Sequence, residues 1–184
     1  MDRGARCGVA RALRRVRAMG AEASKLDPPL TVAIVSRDRV YRDSLAQPLR
    51  RFALRVRTLQ MTASGEPAEL DDVDVLVIDT DALSAGELER LNRLHARWPL
   101  VEVVTVTGGL PVEEAVEALR AGVFTVLQHP VADQLLVETI TQAGRRHRRA
   151  RARLEELSRA SYATEIGDTR ARPARVDDPQ EEVP

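Results

Sequence analysis

The stretch Val73-Asp74-Val75-Leu76-Val77-Ile78-Asp79-Thr80-Asp81 constrains the fold more than any other. Branched apolar residues follow one another from position 75 to 78, and the run stops at an acid. A strand with one wet face alternates; an unbroken run fits a strand covered on both faces, in the middle of a parallel sheet. Parallel neighbours need crossover connections, usually helices. Ligands and chemistry gather at the carboxyl ends of such strands, where Asp79 stands. That acid is therefore either a reactive group or the remnant of one.

The surrounding chain supplies the rest of such a sheet. Residues 31–35 (Thr-Val-Ala-Ile-Val) form a short apolar strand, followed by Tyr41, Leu45, Leu49 and Phe52 at helical spacing. Pro48 interrupts that helix and predicts a kink or a late start. Residues 54–59 alternate apolar and polar, which suits an edge strand. Pro67 leaves room for one helical turn at most between 64 and 72, so the second helix is short or missing. The central strand covers 73–78. Ser84, with Glu87 three residues on, has capping-box spacing before a stripe of Leu88, Leu91, Leu94 and Trp98. Residues 101–107 give the next strand. Pro111 opens a helix whose Val112, Ala115, Val116 and Leu119 are expected to face inward, with Gly122 as its C′ residue. Residues 123–127 give the fifth strand, His129-Pro130 the turn, and a long helix starts at Ala132. Strands alternating with helices call for an α/β fold with a parallel sheet covered on both sides.

Several functions are excluded or weakened by composition. Cys7 is the single cysteine, so one chain assembles neither a disulfide nor a thiolate metal site. No apolar run approaches the length of a membrane span, and the basic N-terminus lacks the apolar core of a secretory signal. A cytoplasmic location without membrane attachment is the expectation. His95, His129 and His147 fall on separate elements without metal-ligand spacing, and no glycine-rich phosphate loop follows the first strand.

In order and separation, residues 30–143 resemble the receiver domain of bacterial two-component response regulators. The resemblance rests on Val35-Ser36-Arg37-Asp38 with Arg42-Asp43-Ser44-Leu45, on Leu76-Val77-Ile78-Asp79, and on Val104-Thr105-Val106-Thr107-Gly108. The most specific match is Glu114-Ala115-Val116-Glu117-Ala118-Leu119-Arg120-Ala121-Gly122-Val123-Phe124, and Leu127-Gln128-His129-Pro130-Val131 completes the set. The resemblance implies a doubly wound, flavodoxin-like five-stranded sheet of order 2-1-3-4-5. It also implies a phosphoacceptor at Asp79, a hydroxyl residue at Thr107, and pairing through the helices flanking the fifth strand.

Other positions depart from the family. Its two metal-binding acids are replaced by Ser36 and Arg37, its lysine by His129 before Pro130, and its aromatic switch by Val126. Magnesium prefers hard oxygen ligands, and phosphoryl transfer needs metal and cation to neutralise developing charge. Asp79 with the backbone carbonyl at Asp81 is a poor cage and Asp38 stands one residue too late, so no metal is expected; Mg²⁺ is implied only if Asp79 is active. Arg37 brings a fixed cation to the metal's place and is chemically able to pair with Asp79, a pair that would compete with metal binding. The expectation is a degenerate, non-enzymatic receiver-like domain acting by protein contact, as a homodimer. Its output face would comprise residues 111–121, 123–127 and the last helix. The first alternative is a response regulator phosphorylated on Asp79.

The flanks divide the chain further: a basic lead over 1–29, a basic helical extension over 144–166, and a disordered acidic, proline-bearing tail over 167–184. Leu136, Ile140, Ala143, His147, Ala150, Leu154 and Leu157 alternate steps of four and three, a heptad seam for a coiled coil. Arg145, Arg146, Arg148, Arg149, Arg151 and Arg153 form a basic block, which gives a second alternative, a nucleic-acid-associated regulator.

Overall fold

The computed structural model describes residues 29–60, 67, 69–109 and 111–170. The basic lead up to residue 28, with its expected helix, and the segment 171–184 lie outside them. Five parallel strands, β1 (Thr31–Val35), β2 (Arg55–Thr58), β3 (Val75–Thr80), β4 (Glu102–Thr107) and β5 (Thr125–Gln128), form one sheet in the order β2-β1-β3-β4-β5. The helices are α1 (Arg39–Arg51), α2 (Ala85–Arg97), α3 (Val112–Arg120) and α4 (Asp133–Arg170). Between β2 and β3 the described residues hold no helix. This is the doubly wound, flavodoxin-like arrangement, with a long C-terminal helix.

Alternation along each strand builds two cores. Val32 and Ile34, Val75 and Val77, and Val104 and Val106 point to one side, under Leu45 and Leu49 of α1 and Leu136 and Ile140 of α4. Ala33 and Val35, Leu76 and Ile78, and Val103 point to the other, against Leu91 and Leu94 of α2 and Ala118 of α3. Both faces of β3 are thus buried, which is why its sequence does not alternate in polarity. The strand starts two residues later than the apolar run suggested and continues through Asp79 to Thr80. Asp79 is therefore a strand residue rather than the first residue after one.

Local signals account for the helix ends. Asp38 caps α1, its Oδ1 accepting from Val40 N (2.8 Å) and Tyr41 N (3.2 Å). The helix begins at once and runs through buried Pro48 to Arg51, so the expected late start does not occur. At α2, Ser84 Oγ accepts from Glu87 N at 3.4 Å, but the Glu87 carboxylate pairs with Arg90 rather than returning to the cap. Half of the capping box is made. Gly122 follows α3 at φ 91, a left-handed conformation that disfavours side chains.

Helix α3 reverses the expected orientation. Val112 is 71% exposed, Val116 40% and Leu119 50%, whereas Ala118 is fully buried. A period of 3.6 admits two stripes here, and the one built on alanine lets the backbone approach β5 and α2 closely. The bulkier apolar residues are left outside.

The heptad seam of the last helix is also partly reassigned. Leu136, Ile140, Ala143 and His147 are buried within the domain itself, so this half is core rather than a free pairing surface. Gly144 is a point of close approach: a Cβ there would lie 2.4 Å from Leu30 Cδ1. Leu154 and Leu157 beyond it stay exposed. The helix continues past Gly167, where the acidic tail was expected to begin, to Arg170.

Much of the basic block is spent on acids at the N-terminal ends of β3 and β4. Asp74 Oδ2 accepts from Thr31 N at 2.7 Å, and its carboxylate faces His147 Nε2 (3.3 Å) and Arg148 (3.9 Å). His147 Nδ1 lies 2.7 Å from Leu100 O. Arg146 Nε meets Glu102 at 3.1 Å. Burial pushes the Glu102 carboxyl up from 4.5, and Arg146 pulls it partly back. A carboxyl raised in the fold holds its proton more tightly folded than unfolded. Its contribution to stability is thus present below pH 4.5 and is lost as pH rises through the higher folded value. Glu102→Gln is expected to match wild type in acid and to gain relative stability as pH rises through that window, read as thermal midpoints across a pH series.

Candidate functional site

The carboxyl ends of β1, β3, β4 and β5 bring the sequence-selected residues together around Asp79. Ser36 follows β1 directly, and its Oγ lies 2.6 Å from Asp79 Oδ2. That hydroxyl also faces Asp38 O at 2.9 Å, but the nearer, charged oxygen is the better acceptor for its one proton. Asp38 N donates back to Ser36 Oγ at 3.0 Å, which fixes the turn. From β5, His129 Nε2 reaches Asp79 Oδ1 at 2.9 Å. Both oxygens of Asp79 are therefore engaged, and its side chain is only 13% exposed.

Arg37 does not take the place expected of it. It is exposed, lines a cavity of about 100 Å³ with Val35, Asp38, Asp79, Thr80, Asp81 and Glu87, and makes no ion pair among the described residues. Across the cavity wall Glu87 pairs with Arg90, a buried guanidinium. Burial lowers the Arg90 pKa from its ordinary value, with Glu87 opposing and Arg37 reinforcing the shift. Asp38, the other ligand candidate, has turned Oδ1 to the α1 cap. Among the described residues no group of three or more His, Cys, Asp or Glu is arranged to hold a metal ion. A Mg²⁺ ion beside Asp79 would need hard oxygens that this donor set has committed elsewhere. The residues do not fit the ion.

The remaining selected positions divide. Thr107 is buried, and its Oγ1 faces Asp81 O (3.3 Å) and Gly109 O (3.1 Å), so both its hydrogen-bond contacts are with loop carbonyls. Pro130 is exposed and joined to His129 by a cis peptide. Val126 is half-buried on the α2–α3 side of the sheet, opposite Thr105 of β4, away from Asp79.

One residue of the site was read only as helix core. Tyr41 stacks on His129 with ring centroids 4.1 Å apart at 33°. Its hydroxyl is buried without a hydrogen bond among the described residues, and burial, with the Asp79 charge added, raises the phenol above 10.0. The available signal was its position in the first turn of α1, three residues past the cap, which carries it over the strand ends.

No protein-family model matches the chain. The C4-dicarboxylate transport transcriptional regulatory protein DctD of Pseudomonas aeruginosa is 28% identical over 118 residues, 64% of this chain. The chain spans about a quarter of that relative's length, 26%. Among solved structures, a pilus assembly-related protein from Burkholderia pseudomallei is 25% identical with a TM-score of 0.55, over 64% of this chain and 90% of that one. A CheY-like response regulator receiver domain from Methanospirillum hungatei is 24% identical with a TM-score of 0.57, over 66% and 98%. Among the described residues no helix is long and apolar enough to cross a membrane. With the sheet order and the distant regulator sequence in agreement, the chain carries the response regulator receiver, CheY-like, fold.

Proposed function

We propose that this chain is a receiver-like signalling module that acts by protein contact, with Asp79 closed to phosphorylation. One observation carries the reading: Ser36 and His129 occupy both oxygens of Asp79, at 2.6 and 2.9 Å. A phosphoacceptor needs a free carboxylate oxygen to attack phosphorus, and a metal with a cation to take up the developing charge. Here each oxygen is already held by a neighbour and the metal ligands are absent from the described site. The serine and the imidazole hold the site in one state.

The contact surface we assign is α3 with β5 and the start of α4, where Val112, Val116, Leu119 and Leu135 are exposed. A row of outward apolar residues on one helix is a docking feature rather than a folding one. A second copy of the chain is the partner proposed for it. The nucleic-acid alternative is disfavoured, since Arg146 and Arg148 of the basic block are tied to Glu102 and Asp74.

The test is incubation of the full chain with Mg²⁺ and a small-molecule phosphodonor, followed by intact-mass measurement. The mass is expected to stay unchanged. A stoichiometric phosphoryl adduct lost in Asp79→Asn would overturn the reading and favour a conventional response regulator.

A further inference from the structure

His147 stands where the seam of α4 asks for an apolar residue, four positions after Ala143 on the same helix face. It is buried, and both its ring nitrogens face acceptors from other elements. Nδ1 lies 2.7 Å from Leu100 O, ahead of β4, and Nε2 lies 3.3 Å from Asp74 Oδ1, directly before β3. A backbone carbonyl can only accept. Asp74 takes the Thr31 N–H on Oδ2 at 2.7 Å and has Arg148 at 3.9 Å, the surroundings of a carboxylate, which is an acceptor as well.

A neutral imidazole has one N–H to give. Donated to Leu100 O, it leaves the Nε2 lone pair against a carboxylate; donated to Asp74, it leaves the Nδ1 lone pair against a carbonyl 2.7 Å away. Only the imidazolium donates at both places. We propose that His147 is a proton-operated clasp. Doubly protonated, it holds residues 143–148 of α4 against the N-terminal ends of β3 and β4; on losing a proton to solvent, it lets that turn loosen.

The contact to Leu100 O is the shorter, so Nε2 gives up the proton and the contact to Asp74 opens. Asp74 keeps Thr31 N and Arg148 in either state. The clasp is therefore closed while the ring is charged and is released as pH rises through the ring's titration. The remaining charges of the cluster are Arg148, on Asp74, and Arg146, which meets Glu102 of β4 at 3.1 Å. Both guanidiniums stay charged throughout. One buried ring thus sets how firmly this turn is held, through its proton count.

The experiment is a pH series on the full chain, reading the His147 ring by proton–nitrogen and proton–carbon NMR together with amide exchange of residues 145–149. The ring signal is the one lost in His147→Gln. Both ring nitrogens are expected to carry protons at the acid end. Across the ring's titration those amides should exchange about tenfold faster than base catalysis alone predicts, the order of one charge-assisted hydrogen bond. That step should vanish in His147→Gln and persist in Glu102→Gln. In Asp74→Asn, where the ring has lost its counter-charge, it should move to lower pH. A ring with a single N–H at every pH overturns the proposal. So does amide exchange without a step at the ring's titration, which would leave His147 a structural core residue.

Discussion

Substituting valine for Gly144 is expected to destabilise the domain by about 2–4 kcal/mol, as overpacking against a core that has no room to yield. A Cβ alone would meet Leu30 Cδ1 at 2.4 Å, Cδ2 at 2.6 Å and Cγ at 3.0 Å, and Leu30 is fully buried where β1 begins. Gly144→Ala is milder, because it gains about 1 kcal/mol of helix propensity against the clash. Coupling makes the cause visible. Leu30→Ala alone should cost about 2–5 kcal/mol as a cavity, and the double variant Leu30→Ala/Gly144→Ala less than the sum of the singles, since the new methyl enters the space vacated. Denaturant midpoints of the four proteins decide it; strict additivity would mean that the two residues do not press on each other.

The second large effect is a gain. On the proposed function, Ser36→Asp/Arg37→Asp/His129→Lys is expected to make Asp79 a residue that is phosphorylated in the presence of Mg²⁺, where the wild type is not. The first two changes remove the hydroxyl on Asp79 Oδ2 and supply hard oxygens beside it; the third replaces the imidazole on Oδ1 by an ammonium. Each preorganised charge-stabilising group is worth about 10²–10³ in rate, so the three together should separate variant from wild type by intact mass. Adding Asp79→Asn should abolish the adduct. A triple variant that folds, binds Mg²⁺ and still stays unmodified would show that Ser36, Arg37 and His129 are not what silences the acid.

Sequence patterns carried the sheet well because its signal is local and redundant. The unbroken run in β3, the alternation in β2 and the caps at Ser84 and Gly122 each report a physical requirement of the backbone. Orientation was harder to read. In α3 the largest apolar residues marked the wrong face, because burial there is set by how closely alanine lets the helix approach, not by hydrophobicity. In α4 the 3-4 spacing was real, but spacing alone does not distinguish a helix seated on its own sheet from one awaiting a partner. At the site, the missing acids and the histidine were legible residue by residue. Which partner Asp79 would choose was not, because Arg37 and His129 were both chemically eligible and only the turn geometry after β1 and β5 decides.

The outward face of α3 also bears on how this protein behaves as a solute. Val112, Val116 and Leu119 expose apolar surface on one helix, and the chain carries a formal net charge of zero at pH 7 with a pI of about 6.9. Near neutrality there is no long-range repulsion to keep copies apart, so colloidal stability falls to whatever covers that helix. With α3 as the proposed contact surface, solubility and recognition are set by the same three side chains, and a change that improves one will trade against the other.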